Sequence, residues 1–320
     1  MTINTEMHCR VVAITEVAEK VKRFRFERID GETMPIFSGG AHVVLAFRTE
    51  SGLRRTPYSL MSKPGDTSGY EISVLRVEQS RGGSHFLHDG LKVGDEVHLA
   101  QPVNLFTIDQ RSKKNLLFAG GIGITPFIAM MDQMQRDGEN FELYYAIRDR
   151  KHGAYWKELS ERFGPRVKLF VDADKSFIPL DAVLGNQPLG THLYVCGPAG
   201  MIDAVLGKAT TLGWPQQNLH SERFLAPPPG DAFKAELVRS RKTITVGTHQ
   251  SILEAVEANG IDAPYMCRGG ACGQCETNVI SCDGMLLHSD IYLESDDRAS
   301  NKKIMICVSR IKGSAIALDL

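Results

Sequence analysis

Four of the seven cysteines in this 320-residue chain, Cys267, Cys272, Cys275 and Cys307, follow the pattern C-x4-C-x2-C, then 31 residues, then C. Thiolates at that spacing are the ligand pattern of a plant-type [2Fe–2S] cluster. Such a cluster moves single electrons and performs neither hydrolysis nor group transfer. The segment reads PYMCRGGACGQCETNV at 264–279. Three sulfurs must turn inward together, so Gly269, Gly270 and Gly273 are expected where a Cβ would clash or φ is positive. The same wrap turns backbone N–H groups toward the sulfurs. Structural zinc is the competing reading. Zinc sites pair C-x2-C with a second close pair, whereas here one ligand is distant and x4 precedes x2. Cys307, in the apolar run KIMICVSR, is expected at the end of a strand. SCDG, around Cys282, reads as a turn, and Cys282 and Cys9 read as ordinary thiols.

Two glycine turns could receive a nucleotide. AGGIGITP, at 119–126, follows an apolar stretch and opens a helical pattern. Gly120, Gly121 and Gly123 let the backbone approach a ligand, and the helix start offers free N–H groups to a pyrophosphate. YVCGP, at 194–198, repeats the arrangement with Cys196, Gly197 and Pro198. Two such turns at strand ends bracket the kind of crevice that binds nucleotides in open α/β sheets. Without a ligand, both would be plain strand–helix turns. Upstream, RRTPYSLMS at 54–62 supplies a guanidinium for a phosphate and, in Tyr58 and Ser59, a ring and a hydroxyl for a flavin. RGGSHFL at 81–87 offers N–H groups from Gly82, Gly83 and Ser84 to the flavin phosphate. Read bare, either could be a β-turn with a surface charge. No Ser/His/Asp or HExxH pattern is present, and hydride transfer requires none.

The elements that must position these residues fall into three blocks. Runs at 11–14, 21–26, 41–47, 70–77 and 96–100 are short and β-branched or alternating, which predicts a small antiparallel barrel. Strands at 115–119, 141–147, 167–171 and 192–196 alternate with helices at 125–136, 154–163 and 198–212, predicting a parallel sheet. PPPGD at 227–231 interrupts both patterns. Beyond it lie a hairpin at 233–246 and a short helix at 251–259. The expected division is 1–109, 110–226, a linker at 227–232, and 233–320. Hydrophobic residues make up 42%, charged residues 23%, and the formal charge is −1, so bulk charge points to neither nucleic acid nor membrane. The first residues lack an apolar leader and no 18-residue apolar run occurs. With seven cysteines, that fits a reducing cytoplasm.

In this order, the motifs resemble the phthalate dioxygenase reductase family over nearly the whole chain. The resemblance implies an antiparallel flavin-binding β-barrel, a parallel α/β nucleotide-binding domain and a C-terminal β-grasp plant-type ferredoxin domain. Related FAD reductases carry the ferredoxin domain first; here the cysteines come last, which implies FMN. The family's Arg-x-Tyr-Ser appears as Arg55-Thr56-Pro57-Tyr58-Ser59, one residue longer, with Arg54 as the alternative phosphate partner. RGGS, GGIGITP and CGP match unchanged. DGMLLHSD, at 283–290, departs from the family's short acidic stretch.

By this resemblance FMN is held by Arg55, Thr56, Tyr58, Ser59, Leu60, Val74, Gly82, Gly83, Ser84, Thr125 and Phe224. NADH is held by Gly120, Gly121, Gly123, Asp172, Cys196, Gly197 and Pro198, with Thr125 and Cys196 near the hydride. Asp172 and Asp174 follow the third strand, where an acid accepts from a ribose 2′-OH and repels a 2′-phosphate. The implied activity is NADH oxidation through FMN and the [2Fe–2S] cluster, with electrons passing singly to a Rieske-type oxygenase. A phthalate-type aromatic carboxylate oxygenase is favoured over a carnitine-type one, and the chain is expected to be a monomer. A reductase for another monooxygenase, an iron–sulfur carrier or sensor without nucleotide turnover, and a zinc module are the alternatives.

Overall fold

The structure is a computed structural model that describes residues 6–49, 52–78 and 80–320. The first five residues, part of the leader reading, lie outside the described residues.

Three sheets carry the chain. The first has six strands in the order β4-β3-β6-β1-β2-β5: β1 (Met7–Ala18), β2 (Val21–Arg28), β3 (His42–Thr49), β4 (Gly52–Ser59), β5 (Tyr70–Leu75) and β6 (Glu96–Leu99). Strand β1 alternates buried and exposed residues from Met7 to Arg10, as a strand with one wet face must. Between β5 and β6 lies a short helical turn, α1 (Gly83–His85). Strand β4 was not anticipated, because Arg-Arg-Thr-Pro-Tyr neither alternates nor excludes proline.

The second sheet is parallel, in the order β11-β10-β7-β8-β9: β7 (Lys114–Gly120), β8 (Phe141–Ile147), β9 (Val167–Val171), β10 (Thr191–Cys196) and β11 (Leu219–Glu222). Strand β7 is buried from Asn115 to Gly120, as expected of a strand covered on both faces. Its helices are α2 (Thr125–Asp137), α3 (Trp156–Phe163), α4 (Leu180–Leu184) and α5 (Ala199–Thr211). Helix α2 has Pro126 in its first turn and stops at Gly138, whose N–H closes on the Gln135 and Met134 carbonyls. Four-residue β11, polar in His-Ser-Glu, escaped the sequence reading.

The third sheet is the β-grasp, in the order β13-β12-β16-β14-β15: β12 (Phe233–Leu237), β13 (Lys242–Val246), β14 (Glu276–Leu287), β15 (Lys303–Met305) and β16 (Arg310–Leu318), with β12 and β16 parallel. Helix α6 (Ile252–Ala258) starts in a capping box: Ser251 and Glu254 each accept the other's backbone N–H. Helix α7 (Ser295–Ser300) precedes β15. One expectation is corrected here. SCDG is not a turn: β14 runs through it, and the register shifts between Asp283 and Gly284. Gly284, at φ 121°, is the bulge that mimics a turn in sequence.

The chain divides into two compact units, 44–57 with 224–320, and 6–43 with 58–223. In the larger unit one apolar core runs from Val21, Met61 and Phe106 into Leu117, Phe127, Met130 and Tyr145. The barrel and α/β elements of that unit share this core. In the other unit the β3–β4 segment joins the β-grasp. Arg54, buried in β4, donates to the His249 carbonyl at 3.0 Å and to Glu254 Oε2 at 3.3 Å. Arg55 Nη1 stands 3.5 Å from Glu257 Oε2 on the same helix.

Candidate functional site

Within the larger unit, five parallel strands end together. Gly120 closes β7, Cys196 closes β10 and Glu222 closes β11, with Cys196 registered against both Ala119 and Glu222. The two glycine turns touch. A Cβ built on Gly123 would lie 2.3 Å from the Cys196 carbonyl oxygen, and one on Gly197 would lie 2.9 Å from Gly120 Cα. Only hydrogen fits at either position, so the backbone stays open above the strand ends. Thr125 is buried and donates to the Ile122 carbonyl at 3.0 Å, fixing the entry to α2. Pro198 precedes α5. Asp172 is exposed just past β9, and Asp174 pairs with Arg150.

The same unit holds Tyr58, Ser59, Leu60, Val74, Gly82, Gly83 and Ser84. Leu60 and Val74 are buried. The Ser84 hydroxyl accepts the Val77 N–H at 3.3 Å and ties the glycine turn to the end of β5. Ser59 is buried and its Oγ has no hydrogen-bond partner; the same holds for Glu222 Oε2. Burial pushes the Glu222 carboxyl up to about 8, against a smaller pull from Ser59. Burial holds Cys196 as a thiol. A buried hydroxyl thus stands beside a buried carboxyl that burial keeps largely protonated. These residues fit a flavin. Glu222 was missed by sequence reasoning, which took only Phe224, two residues later, by resemblance. An acid alternating with His220 at the end of a strand was the available signal. Arg55, Thr56 and Phe224 belong to the other unit, where Phe224 is 52% exposed.

In that unit the four cysteines converge. They fall as two neighbouring pairs, Cys267 beside Cys272 and Cys275 beside Cys307. Four converging thiols at this spacing are the donor set that a [2Fe–2S] cluster needs. The loop N–H groups turn to sulfur as expected: Gly269 donates to Cys267 Sγ at 3.4 Å. The neighbouring Cys272 thiol first, then the N–H groups of Ala271, Gly269 and Cys272, lower Cys267 against the opposing effect of burial, and Cys272 is raised in turn. Gly273, at φ 79°, lies against Tyr292; a Cβ there would be 2.4 Å from the ring. Cys307 follows β15 by two residues, near the expected strand end. Cys9 is buried, which pushes it up to about 12, and burial also raises Cys282, so both remain inert thiols.

Residues 236–312 match the model of the 2Fe-2S iron-sulfur cluster binding domain. Residues 100–219 match that of the dimethylamine monooxygenase subunit DmmA-like N-terminal domain. The chain is 40% identical to the carnitine monooxygenase reductase subunit of Acinetobacter baumannii, covering 100% of each. It is 41% identical to the heme-dependent oxidative N-demethylase beta subunit of Ectopseudomonas mendocina, covering 99% of this chain and 100% of that one. Among solved structures, phthalate dioxygenase reductase, described as modular for electron transfer from pyridine nucleotides to [2Fe–2S], matches with a TM-score of 0.89. That match has 31% identity and covers 99% of this chain and 98% of the other.

Proposed function

This chain belongs to the phthalate dioxygenase reductase family, and on that premise we propose that it is the NADH-dependent reductase of a two-component oxygenase. When bound, FMN accepts a hydride as an electron pair and the [2Fe–2S] cluster carries electrons singly. The protein supplies orientation, exclusion of water and protonation state. The observation that carries the reading is the union, in one chain, of four converging thiols with a glycine-lined nucleotide crevice.

Gly120, Gly121, Gly123, Cys196, Gly197 and Pro198 present the strand ends to NADH, and Asp172 accepts from its ribose. Ser59 and Glu222 meet the polar edge of the flavin ring. Glu222 holds its proton at neutral pH and so donates a hydrogen bond there. Tyr58, Leu60, Val74 and Thr125 line the ring, while Gly82, Gly83 and Ser84 take the phosphate. Arg55, Thr56 and Phe224 remain assigned to FMN by the resemblance alone. Cys267, Cys272, Cys275 and Cys307 hold the cluster.

The electron acceptor is an oxygenase component. Identities of 38–41% to reductase or beta subunits of carnitine monooxygenase and heme-dependent N-demethylase systems support a partner that acts on an N-alkyl substrate. An aromatic carboxylate such as phthalate is the second reading, supported by the 31% structural match. The reading includes a monomer working in the cytoplasm, and sedimentation velocity tests the first of these. No helix among the described residues is long and apolar enough to cross a membrane.

Anaerobic titration with NADH is the direct test. Native protein should lose both flavin and cluster absorbance. Cys272→Ser should lose the cluster signal in electron paramagnetic resonance and electron export, yet keep flavin bleaching by NADH. A colourless protein that binds zinc without sulfide would refute the reading.

A further inference from the structure

Resting on that function, we propose that the face formed by Ile291 and Tyr292 beside Cys272 docks the electron-accepting protein, and that this partner offers an apolar socket rimmed by basic side chains. Cys267, Cys275 and Cys307 are buried; Cys272 alone among the ligands is only half-buried. Electrons leave most readily where the ligand shell is thinnest. Tyr292 lies there, its ring against Gly273 in the turn between Cys272 and Cys275.

Ile291 and Tyr292 are consecutive, large and apolar, yet 43% and 46% exposed. Their backbone is fixed. Ile291 N–H donates to the Gly270 carbonyl at 3.0 Å, and Leu293 N–H donates to buried Asp290 at 2.8 Å. Arg298 donates to the Asp290 carbonyl at 2.7 Å, and Ser289 N–H to Ser309 Oγ at 3.2 Å. A segment held this firmly pays no ordering cost on binding, and an anchored aromatic with a polar rim is the form of an interface hot spot.

The rim is acidic. Glu294 and Asp296 are exposed and have no ion-pair partner among the described residues. Of the cations in this segment, Arg298 pairs inward with Asp290 and Lys303 with Glu276 and Asp297, while Lys302 is exposed. Unpaired carboxylates beside the exit select and steer a basic partner.

The test uses the full holoprotein, NADH and two acceptors: cytochrome c, a basic one-electron protein, and ferricyanide, which needs no docking surface. Glu294→Lys with Asp296→Lys should lower kcat/KM for cytochrome c about tenfold at low ionic strength and abolish its salt dependence. Tyr292→Ala should lower it about tenfold at every ionic strength. The cluster's resonance signal should stay unchanged in the charge variant and its reduction of ferricyanide, a trianion, should not fall; that variant decides alone if Tyr292→Ala disturbs the loop. Unchanged cytochrome c kinetics in the charge variant, with its cluster intact, overturns the proposal. So does a native dimer that Tyr292→Ala splits, since a second copy would then own the face. Native protein whose cluster NADH fails to reduce overturns the underlying function instead, and the two failures are distinct.

Discussion

Gly123 lies directly against the Cys196 carbonyl, so the two strand-end turns that frame the nucleotide crevice are in mutual contact. A methyl group at Gly123 would stand 2.3 Å from that oxygen, and the Cys196–Gly197 backbone would have to shift. Gly123→Ala should therefore raise the NADH concentration for half-maximal flavin bleaching by about tenfold or more. Flavin content and cluster signal should be preserved. Stopped-flow bleaching against NADH concentration measures this; an unchanged dependence would show that the turns are not the docking point.

Glu222 gives a pH signature. Its folded-state value is raised from 4.5 to about 8, so the folded protein keeps a proton that the unfolded chain releases. That imposes no penalty below 4.5, a growing one as pH rises through the window, and a constant one above about 8. Each tenfold gain in proton affinity on folding is worth about 1.4 kcal/mol. Glu222→Gln, permanently neutral, should match the native protein at acidic pH and exceed its Tm increasingly toward pH 8. A constant Tm difference across that range would show that Glu222 titrates normally.

Asp172 and Asp174 should not be equivalent. Asp174 is engaged by Arg150, whereas Asp172 is exposed just past β9. Asp172→Asn should lower the NADH-over-NADPH ratio of kcat/KM about tenfold, in line with loss of a charged hydrogen bond. Asp174→Asn should leave it near the native value. Equal effects of the two substitutions would remove the ribose assignment.

Arg54 and Glu254 form a buried pair whose halves should be unequal to lose singly and jointly. Arg54→Met leaves the Glu254 carboxylate buried beside the capping box and should cost about 3–5 kcal/mol. Arg54→Met with Glu254→Gln keeps a neutral acceptor for the Ser251 N–H and should recover much of that loss. Urea denaturation of both variants settles the point; additive losses would mean the pair is not coupled.

The chemistry was legible where it is local. Cysteine spacing named the cluster, and β8 and β9 have the predicted bounds, because buried parallel strands are short apolar runs flanked by turns. Long-range facts were not legible. Spacing cannot show that Cys267 lies beside Cys272 and Cys275 beside Cys307, nor that Arg54 finds Glu254 200 residues away. Strands β4 and β11 hid because Arg-Arg-Thr-Pro-Tyr and His-Ser-Glu carry no period-two apolar signal. The β14 bulge at Gly284 has a turn's composition inside a strand. Glu222 was overlooked beside an aromatic, since only burial at the end of β11 makes an ordinary glutamate unusual.

The attachment of β4 to the iron–sulfur unit bears on how these proteins can be cut and recombined. A fragment severed at the proline linker would lose the contacts that Arg54 and Arg55 make with Glu254 and Glu257. A chimera built to give this reductase a new acceptor must transplant residues 44–57 together with everything after 224.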